Sequence, residues 1–156
     1  MEKNSRDKNI DSQNYSDSQS TQYCIVRRYG TVTFNEVQNQ IKENLRKAQF
    51  DVVAEMDICE YLEGYFKDLP QHLILLICNK KITAELISND IQMTTLIPCK
   101  ISIKEVEDNS IIEVSIEDIE KTWSFSEKPE IKKISAEIKK ALTDLLDFIG
   151  PKNFKL

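Results

Sequence analysis

The chain has few of the residues on which the commonest catalytic and cofactor-binding motifs depend. It contains three glycines, scattered singly, and so lacks the glycine-rich loop that binds phosphates in nucleotide-binding proteins. His72 is the only histidine, and no serine or cysteine accompanies it in a recognisable catalytic motif. The sequence therefore predicts no catalytic residues, and an enzyme is the less favoured class of protein.

Cysteine is also sparse, and its spacing is informative. The four cysteines lie at positions 24, 59, 78 and 99. No two of them form a C-x-x-C pair, which argues against a zinc ribbon and against a thioredoxin-like redox motif. Cys24 and Cys59 are predicted to be packing residues, because cysteine is among the most frequently buried residue types.

Neither an excess of basic residues nor a long apolar run is present. The chain has 21 lysines and arginines against 26 aspartates and glutamates, a net charge of -5, which disfavours binding to nucleic acid. The charged amino terminus lacks the apolar core of a secretion signal, and no segment approaches the roughly 18 apolar residues of a membrane span. We therefore expect a cytoplasmic protein with free thiols and with neither a membrane nor nucleic acid as partner.

Residues 1–21 are polar and are predicted to form a disordered tail. Only three of them are apolar, so burial cannot offset the entropy that the segment would lose on ordering. Residues 22–150 are long enough for one hydrophobic core and too short for two. Residues 151–156 are predicted to be a short C-terminal tail. The sequence therefore predicts a single domain between two tails.

From Tyr23 onwards, strand-like and helix-like patterns alternate. Their order is strand, helix, strand, short helix, strand, helix, strand, strand and long helix. Thr33 and Glu36 predict a capping box at the start of the first helix, and Asp57 and Glu60 can cap the short helix in the same way. The final helix is predicted to begin near Pro129 and to stop at Gly150.

The segment at residues 50–58 alternates between apolar and polar side chains and is predicted to be a half-buried strand. Its predicted inward residues are Phe50, Val52, Ala54, Met56 and Ile58. Asp51, Glu55 and Asp57 are then expected to share a solvated face, which disfavours a catalytic carboxylate pair among them.

Two further aliphatic rows, at residues 97–103 and 112–116, are predicted to flank a hairpin turn at Asp108 and Asn109. The run HLILLICN is apolar on both faces, which predicts a central strand. With helices able to cover one face, these elements predict an α+β two-layer sandwich with a mainly antiparallel five-stranded sheet. The three aliphatic rows are expected to meet in one interior.

Cys78 follows the apolar strand and precedes a predicted helix that Asn79 can cap. The helix start, Lys80 and Lys81 all favour a thiolate and are expected to lower the pKa of the Cys78 thiol. If the two strands run antiparallel, Cys78 and Cys99 lie at the same edge of the sheet, where a thiolate pair would suit copper(I) better than zinc. In the alternative interpretation both cysteines are small apolar residues of the core.

Trp123 and Phe125 lie in the segment EKTWSFSEK, outside any strong periodic pattern. One interpretation is an aromatic cluster that closes the open end of the sheet and helix layers. The other is a lid over a pocket, or part of a dimer contact, where aromatic residues are enriched.

Five short motifs occur in a characteristic order and spacing. They are GTVTFNEV at 30–37, EMDI at 55–58, CN at 78–79, LIPC at 96–99 and PEI at 129–131. Together they resemble the family known as domain of unknown function 302, from about Gly30 to Ile149. The resemblance implies one α+β domain, similar to a single repeat of the TATA-binding-protein fold, that forms a homodimer. It implies no activity, because the family has none established.

These observations favour a non-catalytic dimeric domain that binds a small ligand or a protein partner between the long helix and the sheet. The candidate ligand-binding residues are Cys78, Asn79, Cys99 and Trp123, and the cofactor is unknown. The alternative hypothesis is a thiol-dependent redox or soft-metal protein in which Cys78 and Cys99 act together.

Overall fold

In a computed structural model that describes residues 16–18, 21–106 and 108–150, the chain forms one sheet and a layer of helices. The strands are β1 (Ser16–Ser18), β2 (Cys24–Tyr29), β3 (Asp51–Asp57), β4 (His72–Cys78), β5 (Cys99–Val106) and β6 (Ile111–Glu117). The helices are α1 (Phe34–Lys47), α2 (Ile58–Tyr61), α3 (Lys80–Asn89), α4 (Ile119–Thr122) and α5 (Pro129–Asp147), with a 3₁₀ helix at Ile91–Leu96. All neighbouring strands are antiparallel, in the order β1-β2-β6-β5-β4-β3. The predicted α+β class and the five predicted strands are confirmed.

The predicted tails fall largely outside the described residues. Residues 151–156 are not among them, and of the segment 1–21 only Ser16–Ser18 and Thr21 are. Ser16–Ser18 adds a sixth, three-residue strand at the edge of the sheet, paired with β2. Among the described residues, no helix is both long and apolar enough to cross a membrane.

Side-chain caps begin the helices where the sequence predicts them. Thr33 Oγ1 accepts a hydrogen bond from the Glu36 N–H (3.2 Å), and the Glu36 carboxylate accepts one from the Thr33 N–H (2.8 Å), which confirms the capping box. At the start of α3, Asn79 Oδ1 accepts from the Ile82 N–H (3.0 Å). Pro129 is the first residue of α5, where its missing N–H costs no hydrogen bond.

The long helices cover one face of the sheet, and the core lies between the two layers. From the sheet, the fully buried residues are Tyr29, Leu75, Ile77, Ile101, Ile103, Val114 and Ile116. The stripe that α5 and its end bury against them consists of Ile131, Ile134, Ile138, Leu142, Leu145, Leu146 and Ile149. Each buried aliphatic side chain contributes roughly 1.5–3 kcal/mol by leaving water. The predicted interior rows at 97–103 and 112–116 are therefore confirmed.

Strand β3 contains a β-bulge that the sequence analysis did not predict. Its register against β4 shifts in the middle of the strand, where Val52 pairs with Ile77 and Ala54 already pairs with Leu76. Val53 is left without a partner in the register. A single extra residue reverses the faces of all the residues that follow it, because side chains alternate with a period of two.

The bulge turns two carboxylates towards the helices. Glu55 pairs with Leu75 and Asp57 pairs with Leu73, which are buried-face residues of β4. Opposed residues of neighbouring strands share a face, and Lys42 of α1 accordingly forms an ion pair with Glu55. The predicted alternation of faces is therefore wrong in the second half of this strand, although Glu55 and Asp57 are exposed to solvent as predicted.

Strand β4 also differs from its predicted place. It lies next to the edge strand β3, not at the centre of the sheet. Its residues on the helix side are buried, whereas His72, Ile74, Leu76 and Cys78 are half-buried. Its second apolar face therefore reflects a sheet surface that no described helix covers, and it does not indicate a central position.

A side-chain clasp joins α1 to the carboxyl end of α5. The Gln40 amide Nε2 donates to the Gly150 carbonyl (2.9 Å), and Gln40 Oε1 accepts from the Gly150 N–H (2.9 Å). One turn further along α1, Asn44 donates to the Leu145 carbonyl (3.3 Å). The Leu145 carbonyl is in the last turn of α5, where carbonyls have no partner within the helix. Together with the two bonds to Gly150, which follows the helix, this hydrogen bond holds the end of α5 against α1.

Candidate functional site

A groove with a volume of about 640 Å³ lies where α1, the end of β3 and the start of β4 meet. Its lining residues are Phe34, Asn35 and Gln38 from α1, Glu55, Asp57, Cys59 and Glu60 from β3 and α2, and Leu69, Gln71, His72 and Leu73 around the start of β4. Most of these side chains are polar. The groove is therefore suited to a ligand that makes hydrogen bonds.

Local structure fixes the carboxylates of the groove. The β-bulge places Glu55 and Asp57 on the helix side, and the ion pair with Lys42 holds Glu55. Asp57 also begins α2, because its Oδ1 accepts from the Glu60 N–H (3.1 Å). This cap confirms the predicted start of the short helix and brings Glu60 beside Asp57.

His72 contributes no positive charge to the groove at neutral pH. Burial lowers the pKa of its imidazole below 6.5, and the nearby Lys104 ammonium lowers it further, while Asp57 acts in the opposite direction. Its Nε2 forms a hydrogen bond with Ser102 Oγ (2.8 Å). The lining residues include no lysine or arginine, and because Lys42 pairs with Glu55, the negative charge of the groove comes mainly from Asp57 and Glu60.

The groove contains a thiol that is hydrogen-bonded to the backbone. Cys59 donates its S–H to the Pro70 carbonyl (3.1 Å), with the Leu69 carbonyl at 3.6 Å. Because His72 bonds to Ser102, the imidazole and the thiol have separate hydrogen-bond partners.

The predicted cysteine site lies at the other end of the same strands. Cys78, Asn79 and Cys99 all contact one small cavity with a volume of about 10 Å³, about the size needed for one water molecule. Its other lining residues are Phe50, Ile77, Ile82, Thr83, Leu86, Ile97 and Ile138. The antiparallel register, in which Ile77 opposes Cys99, brings the two cysteines to the same edge as predicted. The space between them and the helices is mostly filled with apolar side chains.

The expected lowering of the Cys78 pKa is wrong. Burial raises the pKa of the Cys78 thiol and Asp51 adds to the rise, against a hydrogen bond from Thr83 that lowers it. Burial also raises the pKa of Cys99 to about 12, with Glu117 adding to the effect. Loss of water around the sulfur outweighs the helix start that suggested a thiolate. Among the described residues, no group of three His, Cys, Asp or Glu side chains is arranged to hold a metal ion.

Asn79 has a structural role at this end of the sheet. Besides capping α3, its Nδ2 donates to the Gln49 carbonyl (3.1 Å) at the turn before β3. Both functional groups of the amide are therefore engaged with backbone. Its predicted contact with a ligand stays a prediction.

Trp123 lies in the core, away from both cavities. It follows α4, its side chain is 2% exposed, and it belongs to the main apolar cluster, whereas the neighbouring Phe125 is exposed. Among the described residues, its indole Nε1–H has no hydrogen-bond partner. This position matches the packing interpretation, and the predicted role in ligand binding stays a prediction.

The sheet face opposite the helices carries a row of charges. Glu113 on β6 accepts from Arg28 Nε (2.8 Å) on β2 and from Lys104 Nζ (3.1 Å) on β5. Burial alone would raise the pKa of Glu113, but the hydrogen bonds from both basic residues lower it overall. Beside this row, Ile74 and Leu76 are half-buried and apolar.

The protein is therefore a small α+β domain with a polar groove at one edge of its sheet and a row of charges on the sheet face opposite the helices. The chain belongs to the family described as domain of unknown function DUF302, which matches residues 26–149, so the predicted family is confirmed. A crystal structure of an uncharacterized conserved DUF302 protein from Bacillus stearothermophilus has a similar fold, with a TM-score of 0.73 and 21% sequence identity. The similarity covers 81% of this chain and 98% of that one, and no curated protein matches the chain.

Proposed function

We propose that the protein is a non-catalytic binding domain whose groove takes a small, polar ligand with a positive charge. The volume of about 640 Å³ supports this proposal, because small-molecule sites are usually about 300–1,000 Å³. The observation that carries it is the orientation of Asp57 and Glu55 into this groove beside Glu60, together with three amide side chains. The site lies on the α1 side of the sheet, away from the long helix α5.

The surroundings of the groove support binding over turnover. Cys59 is the one cysteine and His72 the one histidine of the lining, and hydrogen bonds direct them to separate partners. The two side chains are therefore not arranged as a nucleophile and its base.

Thermal unfolding in the presence of small ligands tests the groove. Spermidine, putrescine and glucosamine are expected to raise the melting temperature, whereas citrate and glutamate are not. Glu60→Gln is expected to weaken the best amine by about two- to fivefold, since an exposed charge pair contributes about 0.2–1 kcal/mol. Glu137→Gln is the matched control, because it makes the same change on the exposed face of α5. Equal weakening by both variants, or stabilisation by the carboxylates alone, would contradict the proposal.

We also propose that the protein is a homodimer joined through the sheet face opposite the helices. This face combines half-buried apolar residues with the Arg28–Glu113–Lys104 row. Five strands about 4.8 Å apart and roughly 20 Å long present on the order of 500 Å² in flat projection. That area is comparable with the roughly 800 Å² of accessible surface that each partner buries in a standard interface.

Leu76→Glu tests the dimer by placing a charge on this face. Light scattering coupled to size-exclusion chromatography is expected to show a dimer for the wild type and a monomer for this variant, because removing the new carboxylate from water is costly even with Lys100 opposite it on β5. Ile91→Glu introduces the same charge at an exposed position on the 3₁₀ helix and is expected to leave the dimer intact. A wild-type monomer at micromolar concentration would contradict the proposal.

The thiol-dependent alternative has less support. The raised pKa values of Cys78 and Cys99 disfavour the thiolates that redox exchange or copper(I) binding requires. Copurification of copper with the wild type, and its loss in Cys78→Ser, would favour this alternative instead.

A further inference from the structure

The segment Tyr61–Phe66, which we call the aromatic loop, exposes three large aromatic side chains next to the groove. Tyr61, Tyr65 and Phe66 are 71%, 84% and 60% exposed. At about 150–250 Å² per aromatic side chain, they leave on the order of 400 Å² of ring surface in water. Exposed apolar surface of a few hundred Å² within one short segment often marks an interaction site on a soluble protein. The exposed rings therefore need an explanation beyond folding.

Backbone hydrogen bonds hold the aromatic loop in one conformation. The Glu63 N–H donates to the Glu60 carbonyl (3.2 Å), and the Tyr65 N–H donates to the Leu62 carbonyl (3.0 Å). Gly64 lies in the left-handed region with a φ of 88°, where a side chain would be strained. A surface that is already ordered loses little conformational entropy when a partner binds. The aromatic loop therefore holds its three rings where a partner can contact them.

The charges around the rings indicate what such a partner carries. Between residues 57 and 68 the chain has four carboxylates and one lysine: Asp57, Glu60, Glu63, Asp68 and Lys67. Aromatic faces attract cations, and carboxylates form charge-assisted hydrogen bonds with guanidinium groups. The same charges repel nucleic acid and anionic lipid.

We propose that the aromatic loop is a docking surface for an arginine- or lysine-rich segment of a partner protein. Basic side chains of the segment stack on Tyr65 and Phe66, and their cationic groups lie near Glu63 and Asp68. The proposal is independent of the groove ligand, because it depends on side chains that point into solvent outside the groove.

Fluorescence anisotropy with labelled peptides tests this surface. The probe is a short peptide in which arginine alternates with serine and leucine, and its counterpart carries glutamate in place of arginine. The wild type is expected to bind the arginine peptide at least tenfold more tightly than the glutamate peptide. The double variant Tyr65→Ser/Phe66→Ser is expected to bind the arginine peptide about tenfold more weakly, and Phe125→Ser, which removes an exposed ring elsewhere, is expected to bind like the wild type.

A second variant separates charge from folding. Glu63→Lys/Asp68→Lys keeps every ring and is expected to abolish binding of the arginine peptide, with an unchanged circular dichroism spectrum. Equal binding by all variants, or by both peptides, would overturn the proposal. Loss of self-association in the Tyr65→Ser/Phe66→Ser variant, measured by light scattering, would overturn it in favour of a second copy of this chain as the partner.

Discussion

Deletion of Val53 tests the β-bulge that brings the carboxylates to the groove. Val53 has no partner in the register and is 53% exposed. Without it, Val52 and Ala54 would follow one another in regular alternation. Glu55 and Asp57 would keep the faces that they have now. The deletion variant is therefore expected to fold and to keep an intact groove.

The loss of stability caused by this deletion distinguishes a bulged strand from a regular one. Complete burial of a valine contributes roughly 1.5–3 kcal/mol, so loss of this half-exposed side chain should cost about 1 kcal/mol. If β3 were regular, the same deletion would exchange the faces of every residue from Ala54 to Asp57. Met56 would then move from the interior into solvent, which would cost roughly 1.5–3 kcal/mol in addition to the loss of the valine.

Urea unfolding followed by circular dichroism measures this difference. Deletion of Ser115 is the control, because β6 pairs with both neighbours without any register shift. That deletion reverses the faces of buried residues and should leave the protein unfolded. If deletion of Val53 is as damaging as deletion of Ser115, the bulge is not the cause of the carboxylate orientation.

Three further outcomes follow from individual contacts. Gln40→Met removes two hydrogen bonds to Gly150 and should lower the free energy of unfolding by about 1–3 kcal/mol. Gln38→Met on the same helix should change this free energy little. Equal effects of the two variants in urea melts would argue against the clasp. Cys99 is buried, and burial raises its pKa to about 12. Peptide mass spectrometry should therefore show that iodoacetamide modifies Cys99 only after the protein is unfolded. Rapid labelling of the native protein would contradict its burial. The folded-state pKa of Glu113 is lowered below 4.5, so its contribution to stability is present above the unfolded-state pKa and is lost as pH falls through the folded-state pKa. Thermal melts should therefore show that the stability advantage of the wild type over Glu113→Gln shrinks at acid pH. An advantage that grows at acid pH would refute the assignment.

Features that depend on a few neighbouring residues could be predicted from the sequence. The capping residues Thr33, Asp57 and Asn79 satisfy backbone groups within three positions of themselves, so their side chains carry the signal for the helix starts. Asp108 and Asn109 both have positive φ, which suits the residues predicted for this turn. The aliphatic rows of β5 and β6 alternate without interruption, and they lie in the interior as expected.

Features that depend on packing between distant segments could not be predicted in the same way. Val52, Val53 and Ala54 are all small or medium apolar residues, so the sequence carries no sign of which one is the extra residue of the bulge. The groove depends on that bulge and was therefore not predicted from the sequence. The one signal for it in the sequence was the concentration of carboxylates at residues 55–60. For Cys78, the helix start was visible in the sequence, but the desolvation that raises its pKa depends on how distant segments pack around the sulfur.

Mapping an amine ligand onto the protein by NMR tests the central claim, that the groove is the binding site. In a titration of the ¹⁵N-labelled protein with spermidine, the largest amide shifts are expected at Asn35, Gln38, Asp57, Glu60 and Gln71, which surround the groove. Amide shifts confined to the sheet face opposite the helices or to the cysteine cavity would contradict this claim. The absence of any amide shift at millimolar spermidine would contradict it as well.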